Sequence, residues 1–304
     1  VFLFVLFVVL LGYIFDMIIG YYINIRVFPV FTVLAFIIAT VQSFVGYFSG
    51  HKLVLSSLKA RLANPAQLKE FTAINVVREL SIAAGLPSPK VYIIPDTDPN
   101  AMATGKDPKH SYIGITEGLL NMMTREELQG VVAHELSHIK NYDILLATTV
   151  SALMGAVLLL SDWMKRSLFI GIDKKSGRRG GRRIKFGGAA GPILIVLAII
   201  FLILAPIVAR LLALAVSRAR EYFADARAVQ LTRNPLGLAN ALRKIANSQG
   251  PIDSATYGTA HLFIADPLRR KLSDKEGCLA ELFSTHPPIE KRIAILERMA
   301  HIRK

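Results

Sequence analysis

TREELQGVVAHELSHIKNYD, Thr124 to Asp143, is the stretch on which the reading of this 304-residue chain turns. Thr124 followed by Glu127 spells a capping box, and Met123 with Leu128 can close a hydrophobic staple across it, so a helix is predicted to start there. On that helix His134 and His138 lie four residues apart, stacked on one face within reach of a common ion. Glu135 projects about 100° round the axis and can reach a ligand of that ion without binding it. His-Glu-x-x-His is the pattern in which two imidazoles hold Zn²⁺ and the glutamate acts as general base. Val131, Val132, Ala133, Leu136 and Ile139 make the surroundings apolar, where unpaired imidazoles and a carboxylate would be costly without a metal.

A catalytic zinc site needs a third protein ligand and an open position for water. SRAREYFADARA, from Ser217 to Ala228, offers Glu221 and Asp225, again four apart. Glu221 can complete a two-His, one-Glu set, and Asp225 can accept the second N–H of a ligand histidine. The competing explanation is an exposed helix on which Arg218, Arg220, Glu221, Asp225 and Arg227 pair among themselves. A single cysteine, Cys278, excludes an internal disulfide framework and any cysteine-based zinc ribbon.

Outward from these motifs the chain becomes membrane-like. Its residues are 53% hydrophobic, too apolar for an ordinary soluble enzyme, yet Lys and Arg number 36 against 22 Asp and Glu. A helix needs about 20 mainly apolar residues to cross the hydrocarbon layer. Four runs qualify: Val1 to Ile19, Phe28 to Phe48, Ile144 to Trp163 and Pro192 to Val216. The first lacks the basic start and small-residue cleavage site of a signal peptide, so it is expected to stay as an anchor, with Tyr21 and Tyr22 in an interfacial belt. It forms a hairpin with the second. Pro206 should kink the fourth, and Arg210 can snorkel from its end. Between the third and fourth runs, residues 162–191 carry nine Lys and Arg against two Asp. This Gly/Arg/Lys loop suits a solvated connector near anionic headgroups, and it lacks the interleaved aromatics of a nucleic-acid tract.

The remaining residues look soluble. KVYIIP (Lys90 to Pro95) and HSYIGIT (His110 to Thr116) read as short strands. NPAQLKEFTAINVVRELSIAAG is an amphipathic helix, with Ile74, Val77, Leu80 and Ile82 assigned to the buried side and Gly85 to the C-terminal cap. After Ser217 three further helices are predicted. The fold class is therefore α+β and mostly helical: four apolar helices and a zincin-like metalloprotease domain carrying a small β-sheet. The division is a hairpin over 1–49, a first half of the protease body over 50–143, two apolar helices and the basic loop over 144–216, and a second half over 217–304.

The ordered set of two-helix anchor, HELSH, two further apolar segments, EYFAD and STHPPIEKRI resembles the HtpX-like membrane zinc metalloproteases, relatives of the CAAX prenyl proteases, over essentially the whole chain. The resemblance implies one Zn²⁺ per chain on His134, His138 and Glu221, with Glu135 as base and Asp225 behind the ligands. It also implies that His286 stabilises the oxyanion and that Arg292 braces the site near the Glu ligand. On its own residues, a lone His286 before Pro287 and Pro288 reads as a helix-start residue rather than a catalyst. NAMATG is similar to a cleft-lining segment that places Asn100 and Ala101 against substrate, with Met102 where an aromatic is usual. SYIGITEGLL resembles an edge strand, so Tyr112 and Gly114 are expected to hold an extended substrate.

The function so implied is zinc-dependent endopeptidase activity on misfolded or damaged membrane proteins. The partners are polypeptides and the lipid bilayer, with no nucleic acid. A catalytically silent membrane scaffold keeping the protease fold is the alternative, against which intact Glu135 argues. The location is a multi-pass cell-membrane one. If all four runs span, the positive-inside rule draws the basic loop, and not the protease body, to the cytoplasm. Lys52, Lys59, Arg61, Arg218 and Arg220 on the body's side nearly balance it, and the resemblance favours a cytoplasmic body.

Overall fold

The computed structural model describes residues 1–23, 28–155, 218–248, 250, 252–256, 259–267 and 287–301. The fourth apolar run, the basic loop and His286 lie outside the described residues. The chain is mostly helical with a small mixed sheet. It divides into two compact units, Val1–Val45 with Leu153–Leu211, and Gly46–Ala152 with Leu212–Lys304.

In the first unit, α1 (Phe2–Ile23) and the beginning of α2 (Val30–Ser57) form the expected hairpin. Asp16 ties it together from α1. Its carboxylate accepts Phe31 N at 3.1 Å, Thr32 N at 2.8 Å and Thr32 Oγ1 at 2.7 Å, so it caps the open amides of α2's first turn. Gly12 allows the close approach, since a Cβ there would lie 2.6 Å from Phe31 O. Among the described residues α2 is the one helix long and apolar enough to cross a membrane. It does not stop at Phe48 as expected but continues through Gly50, His51 and Lys52 to Ser57, since no proline intervenes and Gly50 packs closely on Thr148.

The second unit is built on a four-stranded sheet of order β1-β2-β4-β3: β1 (Arg61–Leu62), β2 (Lys90–Ile94), β3 (Ala101–Asp107) and β4 (His110–Thr116). β2 and β4 occupy the residues read as strands. They pair in parallel, Val91 opposite Ile113 and Ile93 opposite Ile115, with both apolar pairs buried. β3 returns antiparallel on β4, Ala101 opposite Ile115 and Thr104 opposite Tyr112. The edge strands are therefore β1 and β3, with β3 on the side of β4, and the expectation that the SYIGIT strand forms the edge is corrected: β4 has partners on both sides. Apart from Thr104, the Ala, Gly, Lys and Asp of β3 give it little strand propensity of its own, and its place comes from the hairpin to β4.

Against this sheet pack α3 (Leu68–Ala84), α4 (Glu117–Met122) and α5 (Arg125–Lys140), followed by α6 (Asp143–Gly155), α7 (Arg218–Thr232), α8 (Pro235–Asn247) and α9 (Ile289–His301). α3 ends at Gly85, whose φ of 68° is the left-handed conformation a C-terminal cap needs. It buries Ala73, Val76, Val77 and Leu80. Ile82 is 73% exposed, contrary to its assignment, because it lies two residues past Leu80 and so nearly opposite the buried stripe. The first turns of the third apolar run are not free for lipid either. Ile144, Thr148 and Ser151 of α6 are buried, and Thr148 Oγ1 accepts Gly105 N of β3 at 3.0 Å.

Candidate active site

α5 carries His134, Glu135 and His138, and local interactions hold that helix at both ends. The capping box forms as read: Thr124 Oγ1 accepts Glu127 N at 3.3 Å, and Glu127 Oε2 accepts Thr124 N at 2.8 Å. The same carboxylate takes Lys244 Nζ at 2.7 Å, which ties α5 to α8. Gly130 lets those helices touch, because a Cβ would stand 2.7 Å from Leu238 N. At the other end Lys140 Nζ donates to Ala84 O at 2.8 Å. Tyr142, at φ 61°, then reverses the chain so that Asp143 faces back toward the helix.

The two histidines meet over one point, Nε2 to Nε2 at 3.2 Å. Glu221 of α7 comes in beside them, Oε2 at 3.7 Å from His134 Nε2 and Oε1 at 3.5 Å from His138 Nε2. Each imidazole has its other nitrogen on a carboxylate. His134 Nδ1 lies 2.9 Å from Asp225 Oδ1, and His138 Nδ1 lies 3.1 Å from Asp143 Oδ2. With both Nδ1 protons held there, the two Nε2 lone pairs face each other, an arrangement that calls for a cation between them. The 3.2 Å between the two Nε2 atoms matches the edge of roughly 3.3–3.4 Å that two donors about 2.0–2.1 Å from a common ion would span, and the two Glu221 oxygens each approach one imidazole, at 3.7 and 3.5 Å, leaving one donor atom per residue within 4.8 Å of the others. His134, His138 and Glu221 thus form a candidate metal site whose donor chemistry fits zinc.

The electrostatics agree. Burial works against a proton on His138, but the bond to Asp143 and the charges of Glu221 and Glu135 outweigh it and raise the imidazole to about 9. A field that holds a proton so tightly will hold a divalent cation in its place. Burial lowers the proton affinity of His134, which favours the neutral, ligating form. Glu135, 1% exposed, is pushed up to about 8 by burial, with Glu221 adding to the rise and His138 and Arg292 opposing it. Its carboxylate also takes the backbone N–H of Ala103 on β3.

Arg292 of α9 sits behind the ligands, 1% exposed. Nε and Nη2 grip Asp225 at 2.8 and 2.7 Å, Nη1 stands 3.6 Å from Glu221 Oε2, and Nη1 also donates to Ile264 O at 2.6 Å. Asn100 and Ala101 lie at the start of β3, three and two residues before the cavity-lining Ala103, and do not themselves line the cavity; Asn100 Nδ2 donates to Ala265 O at 3.0 Å. Tyr112 and Gly114 do not line the cavity. Tyr112 stacks on His51, ring centroids 4.7 Å apart, and Gly114 faces Ile94 and Met102. Sequence reasoning missed Asp143, Ala103 and the segment His261 to Ile264, all of which line the cavity or hold its ligands. For Asp143 the signal was present, an acid just past the C-terminus of the His-Glu-x-x-His helix.

Two imidazoles and a carboxylate around one point, with a buried carboxylic acid adjoining, define a metal-dependent hydrolase. Residues 67–300 match peptidase family M48. The chain is 44% identical over 263 residues to a Protease HtpX homolog of Caldanaerobacter subterraneus subsp. tengcongensis, spanning 86% of this chain and 83% of the relative. It is 47% identical over 264 residues to the Protease HtpX homolog of Desulfatibacillum aliphaticivorans, spanning 86% and 79%. The crystal structure of S. mikatae Ste24p is similar with a TM-score of 0.48 at 19% identity, over 94% of this chain and 62% of that one. The chain belongs to peptidase family M48 and is a metalloprotease.

Proposed function

We propose that the chain is a zinc-dependent, membrane-anchored endopeptidase that cleaves misfolded or damaged membrane proteins. The convergence of His134, His138 and Glu221 donor atoms, all within 4.8 Å of one another, carries this reading. These three residues would hold one Zn²⁺. When bound, zinc lowers the pKa of an attacking water from 15.7 to about 7 and polarises the scissile carbonyl.

The chain's own groups do the rest. Glu135 takes the proton from the attacking water and passes it to the departing amine, a role that its burial and raised proton affinity suit. Asp225 and Asp143 hold the two imidazoles in the ligating tautomer. Arg292 fixes Asp225 and stands near Glu221, so it positions the third ligand. Asn100 and Ala101 meet the substrate at the start of β3, as the resemblance suggests, with Tyr112 and Gly114 shaping the sheet behind β3. His286 steadies the oxyanion, as the resemblance suggests. The protease body combines 50–143 with 217–304. The hairpin at 1–49 and the apolar runs of 144–216 anchor it as a multi-pass protein, with the body in the cytoplasm.

Glu135→Gln is expected to keep zinc and lose cleavage of a model membrane substrate by about 10²-fold or more, since it removes the proton-transfer group. Full cleavage by that variant would remove Glu135 from the mechanism, whereas a zinc-loaded wild type without cleavage would favour the scaffold alternative.

A further inference from the structure

The outer edge of β3 beside Glu135 is already paired with the chain's own strap, Thr259 to Ala265. Met102 and Phe263 form an antiparallel bridge, and Ala101 O accepts Ile264 N at 2.9 Å. Ile264 O takes Arg292 Nη1 at 2.6 Å, and Ala265 O takes Asn100 Nδ2 at 3.0 Å. Three residues assigned to the site from sequence, Asn100, Ala101 and Arg292, thus each make one hydrogen bond to the strap, at two consecutive residues. The amides that face outward along the edge are engaged as well: Ala101 N on Asn100 Oδ1, Ala103 N on Glu135 and Gly105 N on Thr148 Oγ1. The strap is buried from Thr259 to Ile264. Leu262, Phe263 and Ile264 share with His134, Glu135, His138 and Glu221 a cavity of ≈ 30 Å³. That is room for about one or two waters and far too little for a polypeptide.

We propose that Leu262–Phe263–Ile264–Ala265 is a built-in pseudosubstrate: an extended apolar segment lying antiparallel on β3 where substrate must lie, held shut by His261 and displaced by an incoming segment of the same kind. This rests on the protease reading above and adds the substrate class, an unfolded apolar stretch able to pair with a strand edge. The latch is His261, whose Nε2 donates to Ala147 O of α6 at 3.0 Å and lies 3.2 Å from Ser151 Oγ. Because the competent state is only fractionally populated while the strap is down, apparent affinity for peptide is reduced by that fraction.

The test uses the zinc-loaded full chain in detergent and a soluble fluorogenic peptide. His261→Ala is expected to raise cleavage at sub-saturating peptide about tenfold, the shift expected from one or two lost buried hydrogen bonds, with zinc content unchanged. In a Cys278→Ser background, Met102→Cys with Phe263→Cys places two thiols on facing strand positions, within disulfide reach. The oxidised form should lose cleavage at least about tenfold and regain it with dithiothreitol, as expected when the competent fraction is trapped near zero. A locked form as fast as the reduced one would overturn the proposal and make the strap a permanent strand. A second measurement needs no turnover. In Glu135→Gln, a saturating peptide copying residues 261–266 should speed hydrogen exchange at 262–264, and unchanged or slower exchange would also overturn it. A zinc-loaded wild type that cleaves no peptide counts against the protease reading alone, while the exchange result judges the strap by itself.

Discussion

Asp225→Asn is the perturbation whose consequence can be followed furthest. Asp225 is 2% exposed, grips Arg292 at 2.8 and 2.7 Å, and holds His134 Nδ1 at 2.9 Å. An amide can accept on one atom only, and its NH₂ group would face donors. Arg292, 1% exposed, would keep Ile264 O and the 3.6 Å approach of Glu221 but lose its main counter-charge. Stranding one member of a buried pair costs about 3–5 kcal/mol. The pKa of Asp225 gives a smaller figure. Burial pushes it up, but the Arg292 charge and hydrogen bonds, with help from His134, win and hold it at about 2 against an ordinary 3.8. That depression is worth roughly 2 kcal/mol at neutral pH. The gap between the figures is the abandoned guanidinium, so the variant is expected near the larger one, and adding Arg292→Met should recover part of the loss. The sign with pH follows from a lowered carboxylate: the contribution is present above about pH 4 and is lost as pH falls toward about 2. Thermal or urea unfolding of chelator-treated protein in detergent measures this without counting lost zinc. A loss below about 1 kcal/mol, the range of exposed pairs, would refute the reasoning, as would a wild type growing more stable between pH 4 and 2.

Asp143→Asn should weaken zinc binding by about 10–100-fold in chelator competition while leaving thermal unfolding of the metal-free protein little changed, since its partner His138 stays paired with the remaining acids. Gly130→Ala should cost about 1–3 kcal/mol by forcing α5 from α8, read as a lower unfolding midpoint, because the contact at 2.7 Å is backbone that cannot rotate away. Asp16→Ala should leave three donors at the start of α2 without their acceptor and cost about 1–3 kcal/mol. The check is detergent thermal stability of the full chain with unchanged zinc content.

Much of the site was legible because it is helical and local. Capping box, one-turn spacing of His134 and His138, and the Glu221 and Asp225 pair all follow from a 3.6-residue period, and folding brings the two helices together. Asp143 escaped because its orientation depends on the left-handed turn at Tyr142, a conformation a tyrosine does not announce. β3 escaped for a related reason, since its Ala, Gly, Lys and Asp follow their partner strand. The identity of the edge strand depended on it, and so did the error over Tyr112 and Gly114. Ile82 looked buried by composition, whereas its angular position on α3 decides the matter. The strap was invisible because HLFIAD has no periodicity to read. Its meaning comes from the residues it touches.

The account stands or falls on whether one zinc sits among His134, His138 and Glu221. Zinc-edge X-ray absorption on the reconstituted full chain, with elemental analysis, tests this directly. One zinc per chain bound by two imidazole nitrogens and a carboxylate oxygen is the expected result, with the signal lost in His134→Ala and in Glu221→Ala. A zinc environment unchanged in those variants, or a purified chain that takes up no zinc, would contradict it.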